Sequence, residues 1–504
     1  MSGCKVLLLN PRISGESRYG AYKNVGSYLP PYGLLCLAAV LEKEGHTVKV
    51  VDADSRRGLS MDETMEKITE FGPDIIGMSC YSIGRSQLIE TSGKMREVSN
   101  ALQVVGGPHI TTFPEDLASV PSIDILAYGE GEYTMLDIAE HKVNGKPLSA
   151  IQGIVYRDAE GKAVKTSPRP YIENLDELPY PAYHLLEDLH DYRPMQLLYK
   201  YRPVLTLISG RGCPFSCIFC NSVWGKKVRA NSPEYIVGMI KKLKEDYGVK
   251  EIMFYEDTFA IKKARLDALC DMIINEKLDI IWTCSANVNT LTQPLIQKMS
   301  KAGCWLMSVG IESGNDEVLK FIEKPAKTGD VRKVCGWAEE AGIHVRGFFM
   351  LGHPIDTEQT IRQTLDFAKE LPLFTVNFCI LHLLPGSKVR EIAHEYGTVN
   401  YNFELNSGHP GESLSFVPNG LTAEYLSKMQ RRAYTEFFLR PSQIWRLLKS
   451  IDSFEDIRKY WELSLAFFSL YIPKSLRGGP KNAEVAPEKE KDAEKADLQL
   501  AGKP

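Results

Sequence analysis

No run of about eighteen apolar residues occurs anywhere in the 504-residue chain, so nothing in it reads as a membrane-spanning helix. The apolar piece near the start, Lys5 to Leu9, is far too short for the core of a signal peptide. Neither sign of charge is in excess. A total of 60 Lys and Arg against 64 Asp and Glu leaves a formal net charge of −4, which gives no sign of a nucleic-acid-binding protein. No internal repeat is apparent, and no G-x-G-x-x-G follows the first apolar run, which argues against a dinucleotide site. Without a signal peptide, eleven cysteines fit a reducing compartment where thiols serve metals rather than disulfides, and the cytosol is the expected location.

What the chain does have is a dense motif, Arg211-Gly212-Cys213-Pro214-Phe215-Ser216-Cys217-Ile218-Phe219-Cys220. Cys213, Cys217 and Cys220 stand at C-x3-C-x2-C in a turn-rich loop behind the apolar, β-branched run Val204 to Ile208. A closed zinc site takes four nitrogen or sulfur ligands, and no fourth Cys or His lies nearby. Three thiolates on an iron–sulfur cube leave one iron open to a small molecule, and soft thiolate is the ligand such clusters select.

The length predicts two or three domains. Over residues 1–145, short apolar runs (Val6–Leu9, Thr47–Val51, Asp74–Ser79, Leu102–Val105, Ile123–Ala127) alternate with amphipathic stretches such as Gly33 to Gly45 and Leu59 to Phe71. That alternation predicts an α/β, doubly wound Rossmann-like sheet. Ligands of such sheets bind beyond the carboxyl ends of the strands. Four loops are therefore expected to converge: Asn10-Pro11-Arg12, Ser79 to Ser82, Gly106-Gly107-Pro108-His109 and Gly129-Glu130-Gly131-Glu132.

Residues 146–200 read as a linker with a hairpin over Gly153 to Val164. Alternation resumes over residues 201–420, with candidate strands Val204–Ile208, Glu251–Tyr255, Ile280–Cys284, Trp305–Ile311, Val345–Leu351 and Thr375–Leu381. Six βα units predict a partial TIM-like barrel with its chemistry at the carboxyl ends of the strands. Glu256 and Asp257, Ser285 and Asn287, Glu312, and Gly352-His353-Pro354 fall there. Residues 421–477 read as a helical extension. Its aromatic end is an ordinary docking helix or a segment that lies on a membrane surface. Residues 478–504, rich in Lys, Glu, Ala and Pro, read as disordered.

The cysteine spacing, with an aromatic just before Cys220, resembles the radical S-adenosylmethionine (SAM) superfamily. A five-strand unit ahead of it, with loops "VVGGPH" and "YGEGE", is similar to the cobalamin (B12)-dependent branch. The resemblance implies a 4Fe-4S cluster on Cys213, Cys217 and Cys220 and SAM on its open iron. Phe219 is implied against the adenine, with Glu256 and Asp257 ("FYEDTF") at the amino group. Glu312 ("VGIESG") is implied at the ribose, with Ser285 and Gly352 completing the SAM contacts. Cobalamin is implied at Asn10, Arg12, Ser79, Gly106, Gly107, His109, Gly129 and Glu130. B12 modules of the D-x-H-x-x-G kind ligate cobalt through the His. Arg12 stands there instead, and a guanidinium has no lone pair to offer, so the implied cobalamin is base-off and His-off. His109 is a possible replacement ligand or a hydrogen-bonding loop residue.

Three further cysteines, Cys4, Cys36 and Cys80, are too scattered to hold the second cluster of the related methylthiotransferases, and are expected in the core. The implied activity is radical methylation of an unactivated carbon in a small-molecule or lipid-like substrate. An electron donor such as flavodoxin or ferredoxin is implied as a partner. An oxidative cyclase or rearrangement enzyme with the same cofactors is the main alternative, and a non-catalytic cobalamin sensor or carrier is another.

Overall fold

In the computed structural model, which describes residues 3–13, 26–400 and 414–469, the two expected α/β units pack directly against each other. The first sheet has the order β2-β1-β3-β4-β5-β6-β7. Its parallel strands are β1 (Lys5–Asn10), β2 (Thr47–Asp52), β3 (Ile75–Ser79), β4 (Leu102–Gly106) and β5 (Ile125–Ala127). Strands buried on both faces read as continuous apolar runs, and Val6, Leu7, Leu8 and Leu9 of β1 are fully buried. Helices Tyr32–Lys43 and Glu132–Asn144 cover one face, and Met61–Phe71 and Arg85–Val98 the other. The Met61 helix starts where the sequence signals it. Ser60 and Glu63 form a reciprocal capping box, and Gly72 closes the helix at φ 60°.

The hairpin β6 (Ile154–Arg157) and β7 (Ala163–Lys165) does not belong to a free linker. It pairs antiparallel with β5 and carries the first sheet past residue 145 to Lys165. Beyond it the chain is irregular but well packed. Tyr183 is buried, with its hydroxyl donating to the Thr206 carbonyl, and Asp176 accepts from Asn231 Nδ2 at 3.0 Å.

The second sheet is built from β8 (Val204–Leu207) followed, after a small ladder of β9 (Gly210–Arg211) with β10 (Arg229–Ala230), by β11 (Glu251–Phe254), β12 (Ile281–Ala286), β13 (Cys304–Glu312), β14 (His344–Leu351) and β15 (Thr375–Ile380). Its order, β15-β14-β13-β12-β11-β8, is all parallel, and the edge strands β8 and β15 do not pair with each other, which is a six-stranded half barrel. Burial alternates along β14 from His344 to Leu351. Val345, Phe349 and Leu351 join the core under the helices, while Arg346, Phe348 and Met350 face the half-exposed lumen. A short antiparallel pair, β16 (Gly397–Val399) with β17 (Phe416–Pro418), precedes the extension.

Three helices, Ala423–Phe438, Pro441–Lys449 and Phe454–Ser469, form that extension. The first covers the free edge of β15, where Tyr434 accepts from the Phe378 N–H at 3.0 Å and Gln430 Nε2 donates to its carbonyl at 2.9 Å. Gln443 of the second donates to Phe374 O at 2.6 Å. The third is pinned by the buried Lys459, which donates to the Tyr199 carbonyl at 3.2 Å. No helix among the described residues is long and apolar enough to cross a membrane. The tail at 478–504 lies outside the described residues.

Candidate active site

The three-cysteine loop leaves β9, wraps over the barrel mouth and returns through β10. Gly212 stands at φ 93°, where a Cβ would come within 2.3 Å of the Lys227 carbonyl oxygen, so only glycine fits. Cys213 N–H donates to the Gly225 carbonyl at 3.0 Å, which closes the loop on itself, and Ile218 N–H to that of Ile322 at 3.1 Å, which ties it to the end of the short helix Asp316–Phe321. Burial pushes the Cys220 thiol up to about 11, with Cys217 and Cys213 close enough to add to the shift. Burial likewise raises Cys213 and Cys217. No cysteine is in a disulfide. Among the described residues no three His, Cys, Asp or Glu side chains gather tightly enough for a single ion. Three free thiols on one loop are the ligand type that an iron–sulfur cluster takes.

Asp257 stands exposed at the mouth, takes a 3.0 Å hydrogen bond from Ser222 Oγ, and biases both Cys213 and Cys220. Glu312 ends β13 at φ 66°, a left-handed conformation that costs a non-glycine residue energy. It forms a buried ion pair with Lys324 at 2.8 Å. The pair lies over Gly310, where a Cβ would sit 2.4 Å from Glu312 Oε1 and 2.7 Å from Lys324 Nζ. Lys324 also lies within electrostatic reach of Cys213, Cys217 and Cys220. Sequence reasoning missed this lysine, because it follows a short helix rather than a strand tip. Phe219 lies against His353, with ring centroids 6.1 Å apart. His353 is fully buried with neither ring nitrogen bonded, and burial lowers its pKa. Gly352, at φ 85°, and His353 donate their N–H groups to Asp356 Oδ2 at 2.9 Å each. Ser285 is half-buried on the lumen face of β12, and its carbonyl accepts from Phe259.

Glu256 is not brought to this group. Its carboxylate turns under the loop, accepting from Ser209 N at 2.6 Å and Ser209 Oγ at 2.9 Å with Arg265 4.0 Å away. A buried acid so engaged holds β8 to β11 and has no lone pair turned toward the mouth.

At the tips of the first sheet, Gly107 stands at φ 98°, and a Cβ there would meet Ser79 Oγ at 2.8 Å and Cys80 N at 2.9 Å. Gly129, at φ 83°, faces open space. Asn10 donates to Asp52 at 2.8 Å. Arg12 is exposed and lies along Gly58, donating to the Leu59 carbonyl at 3.2 Å. His109 is not free to ligate a metal: Nδ1 lies 2.9 Å from Ser82 Oγ and Nε2 3.1 Å from Asp116 Oδ2. Among the described residues of these loops, Gly107 and Gly129 keep the surface low and neither Arg12 nor His109 has a free lone pair for a metal, which fits a group held by shape.

Glu130 departs furthest from expectation. It points away from the loop surface and into the domain interface, where its carboxylate accepts from Arg211 Nη1 at 2.9 Å, Arg229 Nη1 at 2.7 Å and Ile172 N at 2.7 Å. Glu132 takes the second arm of Arg211 at 2.5 Å. All four side chains are buried. Burial opposes the Arg211 charge, but the Glu132 and Glu130 carboxylates, with Cys36, together outweigh it, so the group stands above its ordinary pKa. Arg211 is two residues from Cys213, so this network bolts the first domain to the cysteine loop. On the other side Thr112 Oγ1 meets Asn221 Nδ2, next to Cys220, at 3.3 Å, and Asn221 also donates to Pro385 O at 3.0 Å. The two sets of strand tips therefore face one another.

A flavodoxin-like module set tip to tip against the cysteine-bearing mouth of a half barrel defines a class: enzymes that bring two cofactors together over one lumen. The B12-binding-domain family matches residues 20–139 and the radical SAM superfamily residues 207–368. An uncharacterized methyltransferase, PH0819, of Pyrococcus horikoshii is 33% identical over 455 residues, 88% of this chain and 94% of the relative. The cytidylyl-2-hydroxyethylphosphonate methyltransferase of Streptomyces wedmorensis is 26% identical over 488 residues, 86% of this chain and 90% of the relative. The anaerobic magnesium-protoporphyrin IX monomethyl ester cyclase of Rubrivivax gelatinosus is 28% identical over 377 residues, 73% and 66%. Among solved structures, the radical SAM methyltransferase TsrM of Kitasatospora setae, with cobalamin and a 4Fe-4S cluster bound, superposes with a TM-score of 0.69 at 17% identity, over 94% of this chain and 100% of that one. The chain belongs to the cobalamin-dependent radical SAM family. It is an enzyme, and its cofactors are a 4Fe-4S cluster, SAM and cobalamin.

Proposed function

We propose that this enzyme methylates an unactivated carbon of a small-molecule or lipid-like substrate held in the barrel lumen. The observation that carries the reading is the facing of the two sets of strand tips, fixed by Glu130 with Arg211 on one side and Thr112 with Asn221 on the other. Two relatives named as methyltransferases over most of their length support it. When bound, SAM on the cluster supplies a 5′-deoxyadenosyl radical, and cobalamin supplies a transferable methyl group.

The chain's own residues position and shield these groups. Cys213, Cys217 and Cys220 hold the cluster. Asp257, a carboxylate suited to an ammonium, takes the SAM amino group, and Glu312, Ser285, Gly352 and Phe219 line its nucleoside. Lys324 holds the Glu312 carboxylate in place through their 2.8 Å ion pair. Asn10, Arg12, Ser79, Gly106, Gly107 and Gly129 form the seat for cobalamin, while His109 and Glu130 brace the loops beneath it. An electron donor such as flavodoxin or ferredoxin reaches the cluster from outside. Free thiols throughout suit a reducing cytosol. The exposed stripe Phe454, Ile457, Trp461 and Leu465 on the last helix is a surface for peripheral membrane contact.

Oxidative cyclisation with the same cofactors is the second reading, favoured by the similarity to the Rubrivivax cyclase. Anaerobic reconstitution with SAM labelled in its methyl group separates the two. Label in the product supports methylation, and an altered product without label supports cyclisation.

A further inference from the structure

Burial along the barrel strands separates an inner face from an outer one. Ser285, Ser308, Gly310, Arg346, Phe348, Met350, Asn377 and Cys379 are half-exposed, while the residues alternating with them on β13, β14 and β15 are buried against the helices. Strand register places Arg346 level with Ser308 and Thr375. The floor beneath is closed by Val204, Met253, Trp305, Leu306 and Phe374. Arg346 lies five positions before Leu351, the end of β14, so the arginine springs from roughly 16 Å below the mouth at about 3.3 Å per residue.

A guanidinium at that depth is out of place unless something answers it. Arg346 has no carboxylate partner and no hydrogen-bond acceptor among the described residues. Its guanidinium lies over the Phe348 ring at 4.5 Å. The groups that face it are phenols, Tyr255 from the tip of β11 and Tyr434 from the first extension helix, and burial lowers its pKa. Glu312, at the end of the neighbouring strand β13, is committed to Lys324 at 2.8 Å. Tyr255, 58% exposed, leans an uncommitted aromatic ring over the entrance. A planar five-donor fork with an aromatic ring beneath it is what recognises a planar or tetrahedral oxyanion.

We propose that Arg346 is a substrate-binding residue that receives an oxyanion, a carboxylate, phosphate or phosphonate carried by the substrate, while Phe348 and Tyr255 flank the adjoining apolar portion. This rests on the reading above that the substrate occupies the lumen. It narrows the substrate class to anionic molecules and makes Arg346 the residue that sets how deep they enter.

The test uses the anaerobically reconstituted protein and phenylphosphonate, with benzoate as the carboxylate probe and diethyl phenylphosphonate as the uncharged control, at constant ionic strength. Phosphorus-NMR line broadening is expected to saturate for phenylphosphonate, with benzoate competing. Arg346→Gln is expected to weaken phenylphosphonate at least tenfold, Arg346→Lys less, and neither is expected to change the weak binding of the diester. Equal affinity in wild type and Arg346→Gln overturns the proposal, and so does the absence of saturable binding of either anion to the wild type. If Arg346→Gln does not fold, as judged by thermal unfolding, Arg346→Lys and Phe348→Leu carry the same comparison, and unchanged affinity in both overturns it. Binding is read without turnover, so the methyl-transfer reading fails or stands by its own labelling experiment.

Discussion

Glu130→Gln is the substitution that most sharply separates a domain-locking acid from a cofactor contact. The native carboxylate answers Arg229, buried to 3% exposure, and one arm of Arg211, buried to 8%. Gln keeps the shape and one acceptor oxygen but removes the charge. Glu132 still neutralises Arg211, so the net loss falls on Arg229, whose Nε and Nη2 already lack partners among the described residues. Removing one partner of a buried pair costs about 3–5 kcal/mol, because the charge left behind has neither water nor a counterion. The retained hydrogen bond puts Glu130→Gln near the lower end, about 3 kcal/mol, which is roughly a hundredfold in the equilibrium. Urea unfolding followed by tryptophan fluorescence should show the shift. The loss should persist in 1 M NaCl, since a buried pair is little screened. Adding Arg229→Met should recover much of it, since an apolar replacement of the pair leaves no orphaned charge. A change under about 0.5 kcal/mol, of the size typical for surface residues, would refute the buried-network account. So would a loss abolished by salt.

Gly310→Ala inserts a methyl group where Glu312 and Lys324 lie, so SAM affinity should fall at least tenfold by equilibrium dialysis while the fold survives; unchanged affinity would remove the pair from the SAM site. His353→Leu replaces a buried ring with two unbonded nitrogens, and the cofactor-free protein should gain about 1–2 kcal/mol in thermal unfolding; a loss would mean the ring has a partner that its surroundings do not reveal. Burial raises Glu251 from its ordinary range to about 7. A raised acid favours the folded state while protonated. Its contribution is therefore complete below the unfolded pKa and is lost as pH climbs through about 7, worth roughly 3 kcal/mol across the window. Urea midpoints at pH 5 and pH 8 should show that slope in wild type and a flatter one in Glu251→Gln; equal slopes would contradict it.

The strands were legible because parallel strands buried on both faces are written as apolar runs, and Val6–Leu9 needs no partner to be recognised. The cysteine loop was legible from spacing alone. Side-chain direction was not. Glu130 and Glu256 both sit at strand tips, where sequence places cofactor contacts. Which way each turns is decided by residues distant in the chain: Arg211 and Arg229, 81 and 99 residues from Glu130, and Ser209, 47 residues from Glu256. Lys324 was invisible because it follows a short helix and not a strand tip, so nothing local marks it as Glu312's partner. Arg346 left a signal that went unused, a charged residue inside the otherwise apolar run of β14. The hairpin was found but not its place, because an edge strand's neighbour is fixed by packing and not by its own residues.

The central claim is that one protein holds an open-iron cluster and a corrin face to face. The most direct measurement is anaerobic reconstitution with iron, sulfide, hydroxocobalamin and SAM, followed by desalting and by assays of bound iron, cobalamin absorbance and 5′-deoxyadenosine formed under strong reductant. Wild type should retain about four irons and one cobalamin per chain and form deoxyadenosine, and Cys217→Ala should lose the iron and the deoxyadenosine while keeping the corrin. A wild-type protein that binds zinc or no metal, or that retains iron but no corrin, would contradict the account.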